Sequence, residues 1–169
     1  MATHIALLRA VNVGGTGKLA MADLRSMAEQ VGLSNVRTYI QSGNLVFSSD
    51  DAVGAKAALE KSLEDYAGKA VGVVLRTAGE MRDVLDANPF PKSEPSKVGI
   101  LFLDDTPPPD SIRAAKGQAD EEIVLGTREV YIHFPSGMGR TKLRLPVMSE
   151  GTVRNVNTIG KLVKMATEG

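Results

Sequence analysis

The residues of this chain best suited to chemistry are basic and amide side chains. They are Arg9, Asn12, Arg37, Gln41, Asn44, Arg140, Lys142, Arg154, Asn155 and Asn157, joined by the backbone of Gly14 and Gly15 and by Ser42. Guanidinium forks and amides recognise planar anions and hydrogen-bonding ligands, but they do not by themselves supply an acid and a base. Asn155, Asn157 and Thr158 stand where a last apolar-periodic stretch begins. Backbone N–H groups of a helix start should therefore point outward beside Arg154, as an anion site requires. The plainer alternative is that these side chains cap helices, brace loops and tie the halves of the chain together.

Other chemistries find less support. With no cysteine, disulfides, thiolate metal sites and cysteine nucleophiles are excluded. His4 and His133 both fall on strand-like segments, which favours sheet-face positions over a metal pair. Asp104-Asp105 before three prolines reads more simply as a helix cap than as a metal ligand. Ser42 sits in Gln-Ser-Gly-Asn, a turn and not a nucleophile elbow. Gly15-Thr16-Gly17-Lys18-Leu19-Ala20 fits the glycine pattern of a dinucleotide-binding turn, but the next strand ends in Gln41 where an acid is needed and then doubles back as a hairpin. It is not a P-loop either, because Leu19 follows Gly17-Lys18 and Asn12 occupies the earlier glycine position.

The elements that must position these residues follow from periodicity. His4–Val11 is a compact apolar run closed by a glycine-rich turn, hence a buried strand. Met21, Leu24, Ala28 and Val31 recur at helical spacing, and Gly32 stands where a left-handed cap belongs. Val36–Ile40 and Leu45–Phe47 flank a hairpin turn at 41–44. Val36, Thr38, Ile40, Leu45 and Phe47 share the expected core face, leaving Arg37, Tyr39, Gln41, Asn44 and Val46 outward. Asp50 or Asp51 can cap a helix over 52–66 with a stripe of Ala55, Leu59, Leu63 and Tyr66, and Val71–Arg76 is a fourth strand. Strand, helix, strand, strand, helix, strand is the ferredoxin-like order. Thr77 and Glu80 then form a capping box for a third helix carrying Met81, Val84 and Leu85.

These elements define an α+β protein with a ferredoxin-like N-terminal half over 1–88, a proline-marked linker at 89–97 and a smaller α+β half over 98–169. The second half is expected to hold a strand at 98–103, a short helix near 111–116 and a hairpin from 123–125 to 130–134. A polar segment at 135–157 and a last helix from Asn157 or Thr158 complete it.

The stretches ALLRAVNVGG, MADLR, VRTYIQSGNLVF, ANPFP, TREVYIHFP, GMGRTKL and RNVNTIGKL together resemble the bacterial domain-of-unknown-function 1697 family. The resemblance implies an α+β fold with a ferredoxin-like N-terminal half, and it carries no activity with it. Val156 stands where the family usually has Trp, and the segment between Lys142 and Thr152 is compressed.

Composition narrows the partners. Lysine plus arginine equals aspartate plus glutamate at 20 each, so no whole-molecule field attracts nucleic acid, although a local basic patch could. No apolar run reaches bilayer length and the start lacks a basic leader, which makes the expected location cytoplasmic with no membrane partner. The functional expectation is a phosphorylated or otherwise anionic small ligand held between the halves, with turnover conceivable. Nucleic acid is the alternative, resting on the basic residues from Arg140 to Arg154, and a scaffold without a ligand is the third reading. These residues specify neither a cofactor nor an oligomeric state.

Overall fold

The computed structural model describes residues 2–9, 20–39, 43–68 and 70–168, the side chains of Arg140 and Glu168 excepted. The chain forms two compact units: Met1–Met81 with Leu162–Gly169, and Arg82–Lys161. The expected linker at 89–97 lies within the second unit. Its Pro95–Lys97 turn of 3-10 helix runs straight into a strand, and the Lys97 carbonyl accepts from the Phe134 amide at 2.8 Å.

In the first unit the order is β1 (Ala2–Leu8), α1 (Met21–Gln30), β2 (Ser34–Tyr39), β3 (Asn44–Ser49), α2 (Ala52–Ala67), β4 (Val73–Thr77) and α3 (Ala78–Asp86), the last straddling the division. The sheet runs β2-β3-β1-β4 with every pair antiparallel, which is the ferredoxin-like topology. One face is built as the alternation requires. Ala6, Leu8, Val36, Leu45, Phe47 and Val73 pack with Leu24 and Ala28 of α1 and with Ala55, Leu59 and Leu63 of α2. Tyr66 leaves the expected α2 stripe: it is half exposed, and its hydroxyl donates to Asp23 at 3.3 Å.

The caps also fall where the residue types place them. Asp51 accepts from the Gly54 amide at the start of α2, and Gly32 takes φ 91° just after α1. Thr77 and Glu80 exchange side-chain bonds with each other's amides at 3.0 and 2.9 Å. This reciprocal pair satisfies two donors that the first turn of α3 would otherwise leave without partners.

The second face of this sheet differs from expectation. It is buried, with Ile5, Leu7, Asn44 and Val46 at 0% exposure and Arg76 at 1%. The hairpin face assigned to solvent therefore faces inward at Asn44 and Val46.

The second unit repeats the strand order. β5 (Val98–Phe102), β6 (Glu122–Leu125), β7 (Glu129–His133) and β8 (Thr152–Asn155) form an all-antiparallel sheet, β6-β7-β5-β8, followed by α4 (Val156–Glu168). Registers match as well: Ile5 faces Arg76 in one sheet and Ile100 faces Arg154 in the other. No helix forms at 111–116. Both the amide and the hydroxyl of Ser111 bind the Pro108 carbonyl, one α-type bond follows from Ala114 to Asp110, and Lys116 then turns away to pair with Arg144. The stretch 135–157 is not simply polar either. Leu143, Leu145 and Val147 are buried against Leu101, Val130 and Ile132, and β8 closes the sheet.

Replacing Thr77 by Ala removes half of the α3 capping box and should cost about 1 kcal/mol. The check is the urea midpoint, with Val53→Ala, at a position 82% exposed, as the control expected to stay at or slightly above the wild-type value because Ala is the better helix former. Equal midpoints for Thr77→Ala and wild type would show that the box does not hold α3.

Candidate functional site

The expected site residues divide between the two units. Asn12, Gly14, Gly15, Gln41 and Ser42 lie outside the described residues, and for Arg140 only the backbone, in a 3-10 turn at Met138–Arg140, is described. In the first unit Arg9 and Asn44 both lie at one end of the sheet, where β1 ends, β3 begins and β4 begins. The Leu8 amide donates to Gly43 and the Arg9 amide to Gly72, both at 2.9 Å, and the Arg9 side chain lies against Gly72. Asn44 is fully buried and its Nδ2 donates to the Tyr39 carbonyl at 3.0 Å, which closes the hairpin.

Arg37 has a structural partner. Its Nη1 donates to the Met165 carbonyl at 2.5 Å, one of the last four carbonyls of α4, which have no acceptor role left within the helix. A cation at that end also meets the negative pole of the helix dipole. The Nη2 atom of Arg37 is buried without a hydrogen-bond partner.

In the second unit Arg154 lies on the inner face of β8, 8% exposed, with Nη1 donating to the Thr152 hydroxyl at 2.5 Å and to the Val153 carbonyl at 3.1 Å. Burial lowers its pKa to about 10, so it remains a cation at neutral pH. Asn155 caps α4 by accepting from the Thr158 amide at 2.8 Å, while Asn157 is exposed in the first turn. One of the helix-start donors expected to meet an anion is thus already occupied by Asn155.

Of the expected residues, Lys142 lines a depression in the second unit. The hollow is about 530 Å³ and is bounded by Gly117, Asp120, Glu121, Ser136, Thr141 and Lys142, with Ala119 and Gly137. Glu121 holds it together. One carboxylate oxygen accepts from the Ala119 amide at 2.6 Å and the other from the Thr141 hydroxyl, while the Glu121 carbonyl accepts from Gln118 Nε2 at 2.7 Å. The Thr141 hydroxyl and then the Ala119 amide hold the Glu121 carboxyl below the ordinary carboxylate range, against the opposing effect of burial. Ser136 donates to Asp120 at 2.6 Å on the open side. The segments close on each other through paired bonds between Lys116 and Arg144, both 2.8 Å. Gly117 is required at this junction: it has φ +69°, and a Cβ there would stand 2.2 Å from the Lys142 carbonyl oxygen.

Sequence reasoning included Lys142 but missed Asp120, Glu121, Ser136 and Thr141. The period-two alternation through Thr141-Lys142-Leu143-Arg144-Leu145 marks an extended segment with its charges on one side, which bears on Thr141, but no local pattern points to Asp120, Glu121 or Ser136. Among the described residues no three His, Asp or Glu side chains cluster as metal ligands, and no helix is long and apolar enough to cross a membrane.

Comparison with known proteins agrees with this architecture. A family described as a protein of unknown function, DUF1697, matches residues 1–131. The chain belongs to that family. The DUF1697 match takes in the stretches from ALLRAVNVGG through ANPFP. The conserved bacterial protein SP0830 from Streptococcus pneumoniae is 22% identical and superposes with a TM-score of 0.75 over 98% of each chain, so the two share a fold. No curated protein matches this DUF1697 chain.

Two outcomes follow from the geometry. Arg37→Met keeps the aliphatic stem but removes the bond to Met165. Net stability should fall by about 1–2 kcal/mol, with faster hydrogen exchange concentrated in 162–168; unchanged exchange there would remove the capping role. Glu121→Gln should be less stable than wild type at neutral pH. Its unfolded carboxyl titrates near 4.5 and the folded one lower, so the ionised form stabilises the fold above 4.5 and that contribution is lost as pH falls through the folded value. Thermal melts from neutral to strongly acidic pH should therefore show the two proteins converging in acid.

Proposed function

We propose that this protein binds a small ligand carrying both hydroxyl groups and an anionic group, a phosphorylated compound being the best fit, in the depression of the second unit. The observation that supports this most is the pairing of roles along the lining. Glu121 already has both carboxylate oxygens engaged, whereas Lys142 is exposed and Asp120 with Ser136 stands on the open side. Lysine is a compact point charge suited to a phosphoryl group. Carboxylates and hydroxyls are suited to the alcohol groups of the same ligand. The volume lies within the range of small-molecule pockets.

Nucleic acid is less well supported. An RNA-recognition sheet stacks bases on an open face, and here Asn44 and Val46 are buried on the face that would have to be open. The basic segment containing Lys142 and Arg144 is what remains for that reading.

The test is a thermal-shift panel of sugar phosphates, nucleotides, coenzyme A, the matching unphosphorylated sugars and short RNA, each at two salt concentrations. A ligand at a hundred times its dissociation constant should stabilise the protein by about 2.7 kcal/mol. A phosphorylated compound should raise the melting temperature in wild type, with the shift lost in Lys142→Ala and reduced in Asp120→Asn. RNA alone acting, and only at low salt, would replace this reading with the nucleic-acid one. A panel without any shift would refute both.

A further inference from the structure

The mutual bonds between the backbones of Lys116 and Arg144 form an isolated antiparallel bridge, so these two residues stand directly opposite each other. Directly opposed residues project to the same side, with Cβ atoms about 4.5–5.5 Å apart. Both are exposed, as is Lys142, while the intervening Leu143 and the following Leu145 are buried. Lys142 and Arg144 therefore share that side, separated by two residues of extended chain, about 7 Å. Among the described residues, none of the three cations makes an ion pair.

Like charges directly opposed across a pair of strands repel one another. The chain nevertheless fixes this pair firmly. The bridge has both of its bonds at 2.8 Å, and Arg144 Nη1 donates to the Leu143 carbonyl at 2.8 Å, which anchors one edge of the guanidinium. The bridge also adjoins the depression directly, because Gly117 follows Lys116 and lines it together with Lys142. The lining includes two carboxylates, Asp120 and Glu121, of which Glu121 stays ionised. A strongly charged anion is repelled from that side and drawn to the ribbon, where three cations stand together. Hydroxyl groups are subject to the opposite preference, since carboxylates accept from them.

We infer that Lys116 and Arg144 form the phosphoryl subsite of this depression and select a phosphate monoester over a carboxylate on a ligand that is otherwise the same. The inference rests on the proposed ligand-binding reading. A phosphate monoester carries about −1.5 to −2 charges at neutral pH and three acceptor oxygens, against one charge and two oxygens for a carboxylate. Two opposed cations with Lys142 alongside can engage all three oxygens, and the monoanion leaves part of the repulsion between them unrelieved.

Glycerol 3-phosphate and 3,4-dihydroxybutanoate, which carry the phosphate or the carboxylate on the methylene of the same diol, serve as matched probes, titrated by isothermal calorimetry or by amide chemical shifts at neutral pH and low salt. Wild type should prefer glycerol 3-phosphate by about tenfold or more, equivalent to at least about 1.4 kcal/mol. The preference should fall to near unity in Lys116→Ala/Arg144→Ala and be retained in Lys116→Arg/Arg144→Lys. Both substituted side chains are exposed, and unchanged amide spectra away from the ribbon would confirm the fold. Wild-type preference in the double alanine variant would overturn the subsite while leaving the depression itself untouched. Failure of wild type to bind glycerol 3-phosphate would also overturn the subsite, and the depression would then be judged by the sugar-phosphate panel and Lys142→Ala alone.

Discussion

Both four-stranded sheets carry buried residues on both faces, so the polar groups on their second faces must find partners inside the protein. An interior group without one forfeits its hydration with no compensating bond. Two of these partners come from the ends of helices. Arg37 on β2 donates to the Met165 carbonyl near the end of α4, and the buried Tyr131 hydroxyl on β7 donates to the Val84 carbonyl at 2.7 Å near the end of α3. Each helix thereby has one of its terminal carbonyls satisfied by a side chain from a sheet. Each also begins in one compact unit and finishes in the other, because the division falls after Met81 within α3 and before Leu162 within α4. Burial, then the Glu129 carboxylate, pushes the Tyr131 phenol up to about 12, which keeps it a donor across the whole neutral range.

The same constraint explains the buried arginines. Arg76 and Arg154 occupy matching positions on the fourth strand of their sheets, each opposite an isoleucine and each immediately before the residue that caps the following helix. A buried guanidinium is costly unless carbonyls and hydroxyls surround it, and Thr152 and Val153 supply these for Arg154. Such residues are expensive to move. Both of these bonds of Arg154 stay on β8, the strand that carries it, so its Nη1 is already engaged beside the helix start where sequence reasoning expected an anion.

Much of the fold was legible because its signals are local. The Thr77–Glu80 box, the Asp51 cap, Gly32 after α1 and the apolar stripes of α1 and α2 each depend on residues within a turn or two of one another. The alternation in the first hairpin correctly identified Val36, Leu45 and Phe47 as core. It failed for the opposite face, because a polar residue such as Asn44 or Arg37 reads as solvent-facing until the partner that satisfies it is known. Met165 lies 128 residues from Arg37, too far for any periodicity to report. The short helix expected at 111–116 fails for a related reason, since the carbonyl that captures the Lys116 amide belongs to Arg144.

The candidate site shows the same limit in electrostatic form. Lys142 could be singled out from its type, but the carboxylate that shapes its surroundings could not. Glu121 lies 21 residues earlier, in the middle of the acidic run Asp120-Glu121-Glu122. In the folded chain it is only 7% exposed, and the Ala119 amide and the Thr141 hydroxyl fix its charge. That fixed charge sets the depression apart from the cationic bridge that adjoins it. Negative charge and hydroxyl acceptors lie around Glu121, Asp120 and Ser136, and positive charge lies along the Lys116–Arg144 bridge. Glu121 holds the 119–121 segment to Thr141, and the close approach at Gly117 holds the bridge to the same segment one residue beyond Thr141. Backbone geometry thus fixes the spacing of the segments that carry the Glu121 carboxylate and the Lys116–Arg144 bridge, as the proposed reading of two different ends of one small molecule requires.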